Sequence, residues 1–163
     1  MRGERSECIR DKMKWHVHKV RLNERDPMTT MEELNEYLDS CGVFFFSTIS
    51  EEGPVTRPLG FKMVVDGQLY FGIGTFKSAY KQLVADPRVY LCALKQDGSG
   101  WVRVSGKAVC DSDPALVDAC FTAAPDLKGV YEANGWEMGI FHLENGAITY
   151  VEGPMTPVKT VEF

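Results

Sequence analysis

A chain of 163 residues with 44% hydrophobic and 25% charged side chains has the composition of an ordinary soluble globule, and its length suits one domain with a real core. A formal charge of −5 argues against a nucleic-acid coat, which needs a basic domain or a broad basic stripe. No apolar run approaches the roughly 18 residues of a membrane span and the start lacks a secretory apolar segment, so the expected compartment is the cytoplasm.

The opening Met1–Pro27 mixes eight bases with five acids and shows no periodicity. It is expected to be a disordered extension, or a stretch upstream of a start at Met28 or Met31. The His16-Val17-His18 pair lacks a third ligand at useful spacing, so no metal is expected there. Residues 28–163 read as a single domain. Thr30 with Glu33 suggests a capping box, and Met31, Leu34, Tyr37 and Leu38 form the apolar stripe of a short helix ended by Gly42. Val43–Ser50 is a dense run of strand formers. Glu51-Glu52-Gly53 then turns into a second strand over Val55–Val65, and Asp66-Gly67 turns into a third over Gln68–Gly72, giving a meander.

The stretch from Gly72 to Leu83 carries the clearest chemistry. A strand passes through a glycine turn into a basic helix start, with Phe76, Ala79, Tyr80, Leu83 and Val84 at helical spacing and Lys77, Ser78, Lys81 and Gln82 on another face. Lysines at a helix N-terminus oppose the macrodipole, and like charges four residues apart repel, by about 0.2 to 1 kcal/mol each. A bound anion reverses both signs. Free N–H groups, the Thr75 hydroxyl and two ammonium groups would then converge on one phosphate. Local charge agrees: positions 54–85 hold Arg57, Lys62, Lys77 and Lys81 against the single acid Asp66. Strand alternation sets Arg57 with Leu59, Phe61 and Met63 on one face and Lys62 on the other. Lys62 therefore reaches the same phosphate only across a bulge, and is otherwise a solvated lysine on the outer wall.

Asp86-Pro87 closes that helix. Val89–Leu94 and Trp101–Cys110 read as strands joined by a turn-rich link, and Asp113-Pro114 starts a helix through Leu116, Val117, Cys120, Phe121 and Ala124 that stops before Pro125. Gly139–Leu143 and Ala147–Val151 flank Glu144-Asn145-Gly146, a hairpin signal, and an edge strand is expected over Val158–Phe163. Six to eight short strands with a few helices make the fold class mainly β, a small barrel rather than a parallel sheet. Cys8, Cys41, Cys92, Cys110 and Cys120 are odd in number and widely spaced, so they read as mostly buried thiols rather than zinc ligands or a redox dithiol.

In this order, Thr56-Arg57-Pro58-Leu59, Leu69-Tyr70-Phe71-Gly72, Thr75-x-Lys77-Ser78-x-x-Lys81-Gln82-Leu83, Asp86-Pro87-x-Val89 and Trp101-x-Arg103-x-Ser105-Gly106-Lys107 resemble the pyridoxamine 5′-phosphate oxidase-like FMN-binding split β-barrels. The resemblance implies that Arg57 and Lys77 bind the FMN phosphate, with Thr75, Ser78 and Lys81 as supporting donors. It implies flavin-ring contacts from backbone around Pro58, Leu59 and Gly72, and a homodimer in which Trp101 and Arg103 approach the cofactor. Trp101 and Arg103 otherwise read as an exposed strand pair. Gly139–Phe163 lacks arginine and tryptophan altogether, so the C-terminal pattern of true pyridoxamine phosphate oxidases is missing, which argues against vitamin B6 oxidation. The chain looks closer to general-stress or nitroimidazole-resistance-like flavoproteins.

A flavin supplies the redox chemistry and asks few catalytic side chains of its protein, in keeping with a sequence that offers no Ser or Cys triad and no carboxylate pair. His142 reads as structural. The expected activity is an FMN-dependent oxidoreductase passing electrons between a reduced nicotinamide and a small acceptor. Alternatives are a non-catalytic flavin-binding or flavin-sensing protein and a haem-binding split barrel. A single-stranded nucleic-acid barrel would need exposed aromatics in a basic groove, whereas Phe44–Phe46 fall in a strand expected to be buried.

Overall fold

In the computed structural model the described residues are 29–111, 113–153 and 158–163. The expectations for Met1–Pro27, Cys8, and the histidine pair at 16 and 18 lie outside them. No helix among the described residues is long and apolar enough to cross a membrane.

Helix α1 (Thr30–Cys41) begins one residue earlier than the sequence suggests. Its capping box joins Thr29 and Glu32: the Glu32 N–H donates to Thr29 Oγ1 at 3.2 Å and the Thr29 N–H to Glu32 Oε2 at 2.6 Å. Thr29 wins over Thr30 because its hydroxyl also donates to the Gly67 carbonyl at 2.9 Å, tying the helix start to a strand turn. This phase buries Met31, Leu34, Leu38 and Cys41.

Eight strands follow: β1 (Phe44–Ser50), β2 (Gly53–Leu59), β3 (Lys62–Val65), β4 (Gln68–Gly74), β5 (Arg88–Leu94), β6 (Trp101–Asp111), β7 (Met138–Val151) and β8 (Lys159–Glu162). All pairings are antiparallel in the order β2-β1-β5-β6-β7-β4-β3, with β8 also on β7. The mainly β class holds. The expected second strand over Val55–Val65 does not run unbroken: it parts at Gly60-Phe61, so β2 pairs with β1 while β3 pairs with β4 at the far end of the order. Two residues span only about 7–10 Å beyond their neighbours. The sheet must therefore curl until its edges meet there, the shape of a split barrel.

A second correction concerns Glu144-Asn145-Gly146. No hairpin forms; β7 is one strand of 14 residues paired with β6 on both sides of a register shift between Ser105 and Lys107. Asn145 (φ 50°) takes the left-handed turn as a bulge. The long partner β6 offers hydrogen bonds to both halves of β7, which outweighs the local turn preference. At Gly146 a Cβ would sit 2.0 Å from the Ser105 carbonyl oxygen, so only glycine lets the two backbones approach.

The barrel interior holds Phe44, Phe46, Phe71 and Phe141, each at most 1% exposed, with Leu34 and Leu38 of α1 and Ala79 and Leu83 of α2 (Ser78–Ala85). Strand β5 alternates strictly, Val89, Leu91 and Ala93 inward and Tyr90, Cys92 and Leu94 outward. Asp113 caps α3 (Pro114–Ala123) by accepting from the Ala115 N–H at 2.9 Å. Helix α3 stops before Pro125 as expected, and that proline opens a further helix, α4 (Pro125–Asn134), where its missing N–H costs nothing. Leu116, Cys120 and Tyr131 of this helix pair cover Met63, Met138 and Ile140 in a second apolar cluster.

Replacing Gly146 by Ala is expected to destabilise the fold by about 1–3 kcal/mol through the clash across the bulge; urea denaturation checks it, and an unchanged midpoint contradicts the close crossing.

Candidate functional site

Register decides where Arg57 points. It stands opposite Phe46, an inward-facing residue, so its side chain also turns to the inner face, at the end of the barrel covered by α2. The hydroxyl of fully buried Thr48 accepts from Arg57 Nη1 at 2.7 Å and donates to Gln82 Oε1 at 2.6 Å. Arg57 Nη2 closes the triangle by donating to Gln82 Oε1 at 2.9 Å. Burial lowers the Arg57 pKa from its ordinary value, yet a guanidinium keeps its proton throughout the working range.

Beside this triangle runs a groove of about 680 Å³ between α2 and the β1–β2 turn, lined by Ser78, Lys81, Gln82 and Ala85 on one side and Ile49, Ser50 and Val55 on the other. Glu51, Glu52 and Asp86 also line it. Three side-chain bonds and a backbone N–H from Arg88 hold the Asp86 carboxyl down to about 2, so that charge is already committed to a neighbour. Helix α2 has no side-chain cap, and Lys77 is its N-cap residue. The Tyr80 and Lys81 N–H groups both donate to the Lys77 carbonyl, at 3.1 and 3.3 Å, so it is the N–H groups of Ser78 and Ala79 that lack intrahelical acceptors at the positive end of the dipole.

The expected site residues divide. Arg57, Ser78 and Lys81 gather around the groove and its adjoining triangle. Lys77 is exposed at the same helix start, with Nζ 5.9 Å from the Phe76 ring centre, and Phe76 itself stacks on Trp136 with centres 4.2 Å apart. The Thr75 hydroxyl donates to the Glu137 carbonyl at 3.3 Å, a structural bond from the loop before α2. Pro58 is exposed and Leu59 half-buried beside the open Gly60 break, whereas Gly72 is buried with Phe61 and Met138 against its α-carbon. Trp101 and Arg103 lie on the outer sheet face, Arg103 opposite outward-facing Cys92. Within one chain, Arg57 and Arg103 thus face opposite sides of the sheet.

Lys62 belongs to neither of its sequence-based alternatives. Its side chain is only 9% exposed and pairs with Asp39 of α1. Two contributors escaped the sequence reading: Thr48, an ordinary strand residue until register placed it under α2, and Gln82, whose amide looked like one more polar group on a helix. The spacing of Gln82 four residues beyond Ser78 was the available signal, since both then share a face. Among the described residues no cluster of His, Cys, Asp and Glu could hold a metal.

An antiparallel split barrel carrying an inward arginine and a basic helix start defines a recognisable class of protein. A sequence model described as pyridoxamine 5′-phosphate oxidase matches residues 30–128, and the chain belongs to that family. Among solved structures it is similar to a NimC/NimA family protein from Clostridium acetobutylicum, with 26% identity, a TM-score of 0.71, and 80% of this chain and 90% of that one covered. It shares its fold with a pyridoxamine 5′-phosphate oxidase-related, FMN-binding protein from Nostoc punctiforme (18% identity, TM-score 0.56, 77% and 82% covered). It shares it also with a haem-binding protein from Mycobacterium smegmatis (17%, TM-score 0.61, 85% of this chain and 59% of that one). A comparison with curated proteins gave no match.

Because Lys62 is committed to Asp39, Lys62→Met is expected to leave anion and flavin affinity unchanged and to cost no more than about 1 kcal/mol of stability. Parallel binding titrations and urea melts check both halves.

Proposed function

We propose that the chain binds FMN and acts as a cytoplasmic oxidoreductase that passes electrons between a reduced nicotinamide and a small acceptor. The observation that carries this reading is the inward guanidinium of Arg57, held beside a groove that also receives Lys81, Ser78 and the uncapped start of α2. This donor set fits a phosphate monoester: a planar fork, an ammonium, a hydroxyl and free N–H groups. Lys77 adds a further exposed charge within reach of the same helix start, and Thr75 fixes the loop that leads into it. The bound flavin would supply the hydride and electron chemistry, while the chain positions it and keeps its phosphate dry.

The isoalloxazine would lie along the open β2–β3 break at Pro58, Leu59 and Gly60, where space next to Gly60 is free. A homodimer completes such a site. Phe45, Tyr90 and Leu94 are each more than half exposed on the outer face shared with Cys92, Trp101 and Arg103, an apolar surface suited to a second copy of the chain. Trp101 and Arg103, turned away from their own Arg57, would then serve the partner's cofactor. Catalytic side chains are not assigned. Haem fits less well: His142, the one histidine among the described residues, is held by Glu144 at 3.1 Å and lies edge-on to Tyr70.

The purified protein is expected to be yellow, or to turn yellow on reconstitution, and to release FMN on denaturation. A colourless protein that rejects FMN would sink the proposal. Lys81→Ala and Lys77→Ala are each expected to weaken FMN binding about five- to tenfold and to spare riboflavin, as flavin fluorescence titration would show. FMN affinity should also fall below about pH 6, where the phosphate gains a proton and loses half its charge, while riboflavin affinity stays level.

A further inference from the structure

We infer that Thr48 and Gln82 are positioning residues of the anion site: they fix the Arg57 fork from behind, and Gln82 adds its own amide N–H donors to the ligand's set. The inference rests on the flavin-phosphate reading of this groove and goes beyond it by assigning two residues and the selection of phosphate-bearing over phosphate-free ligands.

A guanidinium offers five N–H donors. Thr48 and Gln82 take one from each terminal nitrogen, at 2.7 and 2.9 Å, which leaves Nε–H and one N–H on each terminal nitrogen for an anion. The triangle is closed by the Thr48–Gln82 bond of 2.6 Å, so the plane of the fork is set by two independent contacts on two different elements. Thr48 is the buried polar side chain of the barrel, at 0% exposure. A hydroxyl in that position has a cost unless each of its bonds is made, and both are made within the triangle.

Gln82 contributes twice. Because its Oε1 accepts from both Arg57 and Thr48, the amide cannot flip without setting N–H groups against N–H groups. Its nitrogen is thereby turned to the remaining side, and Gln82 lines the groove beside Lys81 and Ser78. An amide N–H pair, a hydroxyl and an ammonium then border one space, with the Arg57 guanidinium directly behind Gln82. The α2 helix itself is anchored by Ala79 and Leu83 in the core, so Gln82 is held on a rigid element.

The alternative is a clamp that only pins α2 to the hairpin, and the two roles separate in a Glu substitution. Gln82→Glu keeps an acceptor for Arg57 and Thr48, so a clamp survives it, but it removes the amide donors and cancels the fork's charge. Wild type, Q82E, T48V and T48S would be titrated with FMN, riboflavin and inorganic phosphate, the last by thermal shift. Expected results are a melting temperature for Q82E at or above wild type with FMN and phosphate affinity down at least tenfold. T48V should lose about tenfold for both anions, T48S should bind like wild type, and riboflavin affinity should hold in all. Q82E or T48V retaining full FMN and phosphate affinity overturns the inference, as does an equal loss for riboflavin. A wild type stabilised by phosphate yet indifferent to either flavin would refute the flavin reading and leave the positioning role standing; indifference to phosphate as well would remove both.

Discussion

A guanidinium turned toward the inside of a barrel is the constraint around which this structure is arranged. Arg57 is half-buried and cannot face the phenylalanine core without hydrogen-bond partners, because taking a charge out of water is costly unless its donors are satisfied. The strand register that directs it inward also delivers the Thr48 hydroxyl from the neighbouring strand, and α2 supplies Gln82 from above. Three elements distant in sequence are thereby tied at one end of the barrel. Gln82 also lines the groove along α2, so the tie stands directly beside it.

The curl of the sheet and the site share a cause. The break at Gly60-Phe61 sends β2 and β3 to opposite ends of the strand order, so the sheet has to curl, and the curl is what gives Arg57 an inside to face. The same break leaves an uncovered strip at Pro58–Gly60. On the outer wall the alternation of β5 leaves Tyr90, Cys92 and Leu94 unburied, beside Phe45 of β1.

Electrostatics around the groove are mixed rather than uniformly positive. Glu51 and Glu52 stand on the turn opposite Lys81, and Asp86 is neutralised locally by Arg88. Under the proposed reading, a site balanced in this way would attract a small, well-aimed anion through hydrogen-bond geometry more than through a broad field, which agrees with a chain whose net charge is −5. Specificity would then depend on the direction of the donors, and direction on the residues behind them.

Much of this was legible in the chain: the glycine turn into a basic helix, the shared face of Arg57 and Leu59, the strand-rich class and the family motifs, because period-two and period-3.6 patterns and turn residues act locally. Local signals also misled where two local outcomes were close in energy. Glu144-Asn145-Gly146 is as good a bulge as a hairpin, and pairing with the distant β6 made the choice. Lys62 was drawn to Asp39 by a helix that no strand pattern could locate. What the tertiary structure alone decided is who stands behind Arg57, since Thr48 and Gln82 are 34 residues apart and become neighbours only when strand register and helix packing are both fixed.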